Sequence, residues 1–295
     1  MTKRIFALLL CLSVFIGIFV GCGVGTSPES NDTTSVQQTN NDTSSVVKEE
    51  SSSSEREVSS APDPSVSVSS DKTSSGAGSK PATTQNVKKV CYLTFDDGPS
   101  ENTLQILNIL NKYNAKATFF VVGTAKLEYI NNIIAQGSKV GIHCNSHTYS
   151  SVYASDTAYF NDLAAISAKI EKQTGVKPDV IRFPGGSSNT VSRKYCRGIM
   201  TRITKSVQEK GYQYFDWNVD SGDALSKKLS ADQLVNRVVN QAKGINSICV
   251  LMHDTNAKKN TVAALPTIIE RLKSMGYTFE VLSNDVSGFH HGVNN

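Results

Sequence analysis

The chain has 295 residues and a formal net charge of +4, with 30 Lys and Arg against 26 Asp and Glu. Its cations are scattered and form no basic stripe interleaved with aromatics, so the composition carries no footprint of a nucleic-acid partner. The length admits one large domain or two small ones, and the distribution of residue types along the chain decides between them.

Residues 1–22 read as an export signal, in which Lys3 and Arg4 precede an apolar run from Ile5 to Val20. That run is short for a membrane-spanning helix, which needs about 20 apolar residues. Phe19-Val20-Gly21-Cys22 resembles a bacterial lipobox, with Phe19 where Leu is usual. Lipidation at Cys22 and an uncleaved membrane anchor are the two readings. Both place the rest of the chain outside the cytoplasm, on the outer face of the membrane and in the wall. Residues 23–86 are dominated by Ser, Thr, Asn, Asp, Glu and Gly. Such a segment buries too little apolar surface to offset the entropy of ordering it, so it is expected to be a disordered tether. A flexible coil of that length reaches roughly 40–45 Å. Residues 87–295 are then one catalytic domain, large enough for a sizeable core.

From Val87 onward, short apolar runs alternate with longer amphipathic ones. The strand-like runs are Val90–Phe95, Ala117–Val122, Lys139–His143, Val180–Phe183, Tyr212–Val219, Ile248–His253 and Tyr277–Leu282. The helix-like segments are Thr103–Tyr113, Lys126–Ala135, Asp156–Thr174, Ser192–Lys210, Ala231–Ala242 and Val262–Met275. Ser100, Asp156 and Ser230 mark helix starts, and Pro266 is placed near the start of the last helix. Alternation of this kind implies parallel strands joined by right-handed crossovers. Without a dinucleotide-type glycine fingerprint, the expected fold is a closed or nearly closed β/α barrel, with a doubly wound open sheet as the other choice.

The polar residues cluster at strand ends. Asp96 and Asp97 follow the first run, His143 closes the third, Arg182 lies in the fourth, Asp220 follows the fifth, and His253 and Asp254 end the sixth. The C-terminal ends of barrel strands are where such folds build active sites. His143 and His147 have the spacing H-x-x-x-H, and a neighbouring carboxylate would complete a set of two His and one acid with a position left for water. Taken alone, the histidine pair is also an ordinary surface pattern, and Asp96–Pro99 an ordinary turn. Cys91 and Cys249 sit in apolar runs as buried thiols, while Cys144 and Cys196 could form a bridge outside the cell.

Five ordered segments resemble the motifs of the polysaccharide deacetylases, carbohydrate esterase family four, with its NodB-homology domain. They are Thr94–Ser100 (TFDDGPS), His143–His147 (HCNSH), Arg182–Gly185 (RFPG), Asp220–Asp223 (DSGD) and Leu251–Asp254 (LMHD). The resemblance implies a distorted (β/α) barrel of about seven parallel strands. It implies one divalent metal held by Asp97, His143 and His147: zinc, with cobalt or another first-row ion as the other candidates. Asp96 would be the general base, fixed and kept charged by Arg182. His253 would be the general acid, oriented by Asp220, and the Gly185 N–H would stabilise the oxyanion. Gly185 and Ala224 stand where the family often has aromatic residues, and Trp217 is a candidate substitute sugar platform. The implied substrate is an N-acetylated glycan, foremost peptidoglycan N-acetylglucosamine, acted on by a monomer. An O-acetyl esterase on xylan or exopolysaccharide and a non-catalytic sugar-binding relative are the alternatives. Non-haem iron oxygenases share the two-His, one-carboxylate set, but that set requires neither the second Asp nor the Arg182 and His253 pair.

Overall fold

The computed structural model describes residues 88–295. The signal and tether expected over residues 1–86 lie outside the described residues. The chain runs β1 (Lys89–Asp96), α1 (Glu101–Lys112), β2 (Ala117–Val122), α2 (Ile130–Ala135), β3 (Lys139–Cys144), α3 (Tyr149–Val152), α4 (Asp156–Thr174), β4 (Val180–Ile181), α5 (Ile199–Glu209), β5 (Gln213–Tyr214), β6 (Val219–Asp220), α6 (Ala231–Gln241), β7 (Ser247–His253), α7 (Lys259–Ser274) and β8 (Tyr277–Phe279).

The strand order is β5-β4-β3-β2-β1-β7-β6, and β8 pairs with the first half of β1. Every pairing is parallel. The two edge strands are consecutive in the chain, separated only by Phe215–Asn218. Seven flat strands at about 4.8 Å spacing would set those edges about 29 Å apart. The connecting residues reach at most about 18 Å when extended, so the sheet has to curl. The expected distorted (β/α) barrel is the fold found, and the open doubly wound sheet is not.

Packing explains why the central strands are apolar throughout. All six residues of β2 are buried, as befits a parallel strand covered on both faces. Phe119 from β2 stacks on Phe95 from β1 with centroids 5.1 Å apart. Truncating either ring to Ala would cost about 3–5 kcal/mol. The helices begin where their caps dictate. Ser100 and Ser230 each form a capping box, with Thr103 and Gln233 respectively.

Two expectations are corrected. The single run Tyr212–Val219 is broken into β5 and β6, because the carbonyls of Phe215 and Asp216 turn inward to the Arg182 guanidinium. Pro266 lies in the middle of α7, not near its start. α4 begins at Asp156 as expected, with Ser155 capping it by accepting from the Ala158 N–H.

Candidate active site

The first cluster forms on the turn after β1. Asp97 adopts a φ of +73° and His147 one of +53°, a left-handed conformation costly for residues with a Cβ. What holds them there is the packing around each turn. Below the first turn lies the carboxylate of Asp254. A Cβ at Gly98 would approach it to 2.2 Å, so only glycine fits. The loop carrying His147 is fixed by Asp162 of α4, whose oxygens accept from the Asn145 and Ser146 N–H groups at 2.6 and 3.1 Å.

The result brings Asp97 Oδ1 to 3.4 Å from His143 Nε2 and 3.2 Å from His147 Nε2. The three ligand atoms lie within 4.8 Å of one another, the one such grouping of three or more among the described residues. Asp97 Oδ1 is buried without a hydrogen-bond partner, an arrangement that a cation resolves. His143 Nδ1 lies 2.7 Å from the Arg182 carbonyl. With that nitrogen as the donor, Nε2 presents its lone pair to the cluster, and burial lowers the His143 pKa in the same direction. The donor set fits a divalent metal.

Arg182, at the end of β4, is fully buried and uses its whole fork. Nε donates to the Phe215 carbonyl, NH1 to Thr94 Oγ1 and Asp96 Oδ1, and NH2 to the Asp216 carbonyl and Cys249 Sγ. Burial is the largest influence and works against its charge, but Asp96, Cys249 and Asp216 together outweigh it and raise its pKa. Asp96 is itself 3% exposed and lines the cleft, so its carboxylate is fixed on one side and open to the site on the other.

Across the cleft, His253 ends β7. Its Nδ1 lies 2.8 Å from Asp223 Oδ1, while Asp223 Oδ2 accepts from the His253 N–H and Thr261 Oγ1 at 2.8 Å each. Burial alone would lower the imidazole pKa, but the Asp223 bond and charge push it up to about 9. Asp223 is lowered by the same pairing, against the effect of burial. This corrects the expected role of Asp220. Asp220 lines the cleft, but its Oδ1 accepts from Gly222 N at 2.7 Å and it does not bond His253. That bond closes a turn that carries the chain back so that Asp223 faces the imidazole. The motif D-S-G-D contains both acids, and the resemblance had pointed to the one nearer the strand.

Asp96, Asp97, His143, His147, Gly185, Trp217 and His253 surround one cleft of about 430 Å³. Trp217 is half-buried, and its ring edge lies 3.0 Å from where a Cβ at Gly186 would stand, so it forms a wall of the cleft rather than core. Tyr149, which sequence reasoning passed over, lines the same cleft. Cys144 and Cys196 are both free, so the bridge considered for them is not formed.

A curled parallel barrel with a two-His, one-Asp metal set between a buried Asp–Arg pair and a His–Asp pair defines a class of barrel with a hydrolytic site. The polysaccharide deacetylase family model matches residues 83–202. A peptidoglycan-N-acetylglucosamine deacetylase of Bacillus cereus is 34% identical over 200 residues, 65% of this chain and 69% of that protein. A bifunctional xylanase/deacetylase of Pseudobutyrivibrio xylanivorans is 33% identical over 214 residues, covering 72% of this chain and 33% of that one. Among solved structures, the catalytic domain of a peptidoglycan N-acetylglucosamine deacetylase from Eubacterium rectale is 44% identical. It superposes with a TM-score of 0.69 over 73% of this chain and 98% of that one. The chain belongs to the polysaccharide deacetylase family, carbohydrate esterase family 4.

Proposed function

We propose that the protein removes N-acetyl groups from glycan N-acetylglucosamine, with peptidoglycan as substrate and zinc as its metal. The observation that carries this reading is the opposition of two proton-handling pairs, Asp96–Arg182 and His253–Asp223, on either side of Asp97, His143 and His147. The relatives named as peptidoglycan deacetylases support the choice of polymer. A divalent ion held by the three ligands would supply Lewis acidity toward the acetyl carbonyl and the attacking water.

The chain's own groups do the rest. Asp96, anchored by Arg182, accepts the proton of the attacking water as the new C–O bond forms. The Gly185 N–H donates to the developing oxyanion. His253 is held protonated by Asp223 and gives the proton on Nε2 to the glucosamine nitrogen as the C–N bond breaks, leaving acetate and a free amine. Base and acid sit in opposite electrostatic environments, which lets one site run both transfers near neutral pH. The same groups serve an O-acetyl ester, and the likeness to a xylanase/deacetylase makes acetyl-xylan the second reading.

Residues 1–86 support a location outside the cytoplasm, with Cys22 lipidated and residues 23–86 leashing the domain within the wall. Acetate and free-amine release by the full chain from peptidoglycan, chitin oligomers and acetyl-xylan, with and without a chelator, tests the function. Amine release from peptidoglycan that chelation abolishes is the expected result. Acetate from xylan alone would move the substrate, and acetate release insensitive to chelation would remove the metal from the reading.

A further inference from the structure

The third motif here ends in Gly185, and what would otherwise be a side-chain wall is supplied from elsewhere. Gly185 has a φ of +77°, and a Cβ built on it would stand 2.5 Å from the Tyr149 hydroxyl. The phenol of Tyr149 thus occupies the space beside the Gly185 backbone, within the cleft that holds Asp97, His143 and His147. Its placement is set by packing. Its ring meets His147 edge-on at 5.9 Å and Tyr153 edge-on at 5.4 Å. Tyr153 is fully buried and donates to the Pro184 carbonyl at 2.8 Å. The short helix α3 and the third motif are therefore stitched together one residue away from Gly185.

Within this network the Tyr149 hydroxyl forms no hydrogen bond with any described residue. The ring is packed against His147 and Tyr153, and the uncommitted hydroxyl stands beside Gly185 in the cleft that also holds Asp97, His143 and His147. We propose that the Tyr149 hydroxyl donates a second hydrogen bond to the acetyl oxygen as negative charge builds there, sharing the oxyanion with the Gly185 N–H. A tyrosine from α3 would thus take over a place that the third motif leaves bare. The inference rests on the deacetylase reading above. It makes Tyr149 a catalytic residue and explains why position 185 is glycine.

Tyr149→Phe removes the hydroxyl and keeps the ring. Initial rates on an N-acetylglucosamine oligomer should show kcat lowered on the order of 10²-fold, the usual effect of losing one oxyanion donor. KM, metal content and melting temperature should stay near wild type, because the lost bond forms only with the transition state. A second readout needs no turnover. The affinity for a methylphosphonamidate of glucosamine, a tetrahedral mimic, should fall at least 10-fold in the variant, while glucosamine itself binds unchanged. A rise in KM alone would make Tyr149 a sugar contact and overturn the proposal. Loss of metal would make it a support for His147, and unaltered kcat would make it a wall; both overturn it too. A wild-type protein that releases no acetate from any substrate would sink the deacetylase reading itself, and the proposal with it.

Discussion

Arg182 grips the site at two ends: its guanidinium donates to Asp96 Oδ1 at 2.9 Å, and its main-chain carbonyl lies 2.7 Å from His143 Nδ1. One residue therefore aligns both the proposed base and a proposed metal ligand. Arg182→Met leaves Asp96 buried without its partner, which should lower unfolding free energy by about 3–5 kcal/mol. The Asp96→Asn, Arg182→Met double variant should recover part of that loss. Urea unfolding of the three proteins checks it, and a double variant no more stable than the Arg182 single variant would contradict the pairing argument.

The proposed mechanism gives the adjacent aspartates opposite jobs. Asp97→Asn should lose metal and activity together, and excess metal should restore some rate. Asp96→Asn should keep about one metal per chain while losing on the order of 10²–10⁴ in rate, with no rescue by metal. Elemental analysis beside acetate release decides it, and the reverse pattern would swap the roles.

His253 is held above its usual pKa by Asp223, and the sign of the consequence is fixed. A histidine raised from about 6.5 to about 9 stabilises the fold fully below pH 6.5 and loses that contribution as pH climbs through 9. In the chelated protein the loss should be on the order of 1–3 kcal/mol between pH 6 and 9.5. Asp223→Asn should shrink it and shift the alkaline fall of kcat/KM to lower pH. Asp220→Asn should leave that limb in place, since Asp220 bonds Gly222 and not the imidazole. Urea midpoints and pH–rate profiles of the two variants separate these outcomes.

The leash is testable apart from the chemistry. Cys22→Ala should abolish acyl labelling, and deletion of residues 23–86 should leave melting temperature and activity on soluble oligosaccharide unaltered. Equal labelling of Cys22→Ala and wild type would leave the uncleaved anchor. A large fall in melting temperature would mean that the deleted segment packs on the domain.

Much of this was legible from period and punctuation. β2 and α4 span the very residues their apolar patterns marked, because a fully buried strand and a long capped helix each leave an unbroken signal. The cluster of Asp97, His143 and His147 was legible because few residue types bind metal and these stood at or just beyond strand ends. Three features were not. The Tyr212–Val219 run hides its break, since the groups that bend it are carbonyls, identical at every position. α3 is four residues long and too short to show a helical period. Asp223 reaches His253 from a loop and Tyr149 reaches the cleft from that short helix, where distance in sequence says little about distance in space.

Among the described residues, three non-glycine positions have φ above zero, and two of them, Asp97 and His147, belong to the proposed metal set. Each left-handed residue costs roughly 1–2 kcal/mol, so the backbone at these positions opposes the side chains placed on it. Selection for a sturdier fold and selection for a working metal site consequently pull in opposite directions there. Glycine at 97 or 147 should raise the melting temperature of the metal-free protein while weakening its hold on the ion. A screen for thermal tolerance alone would be drawn toward those two codons and would return robust, inert proteins.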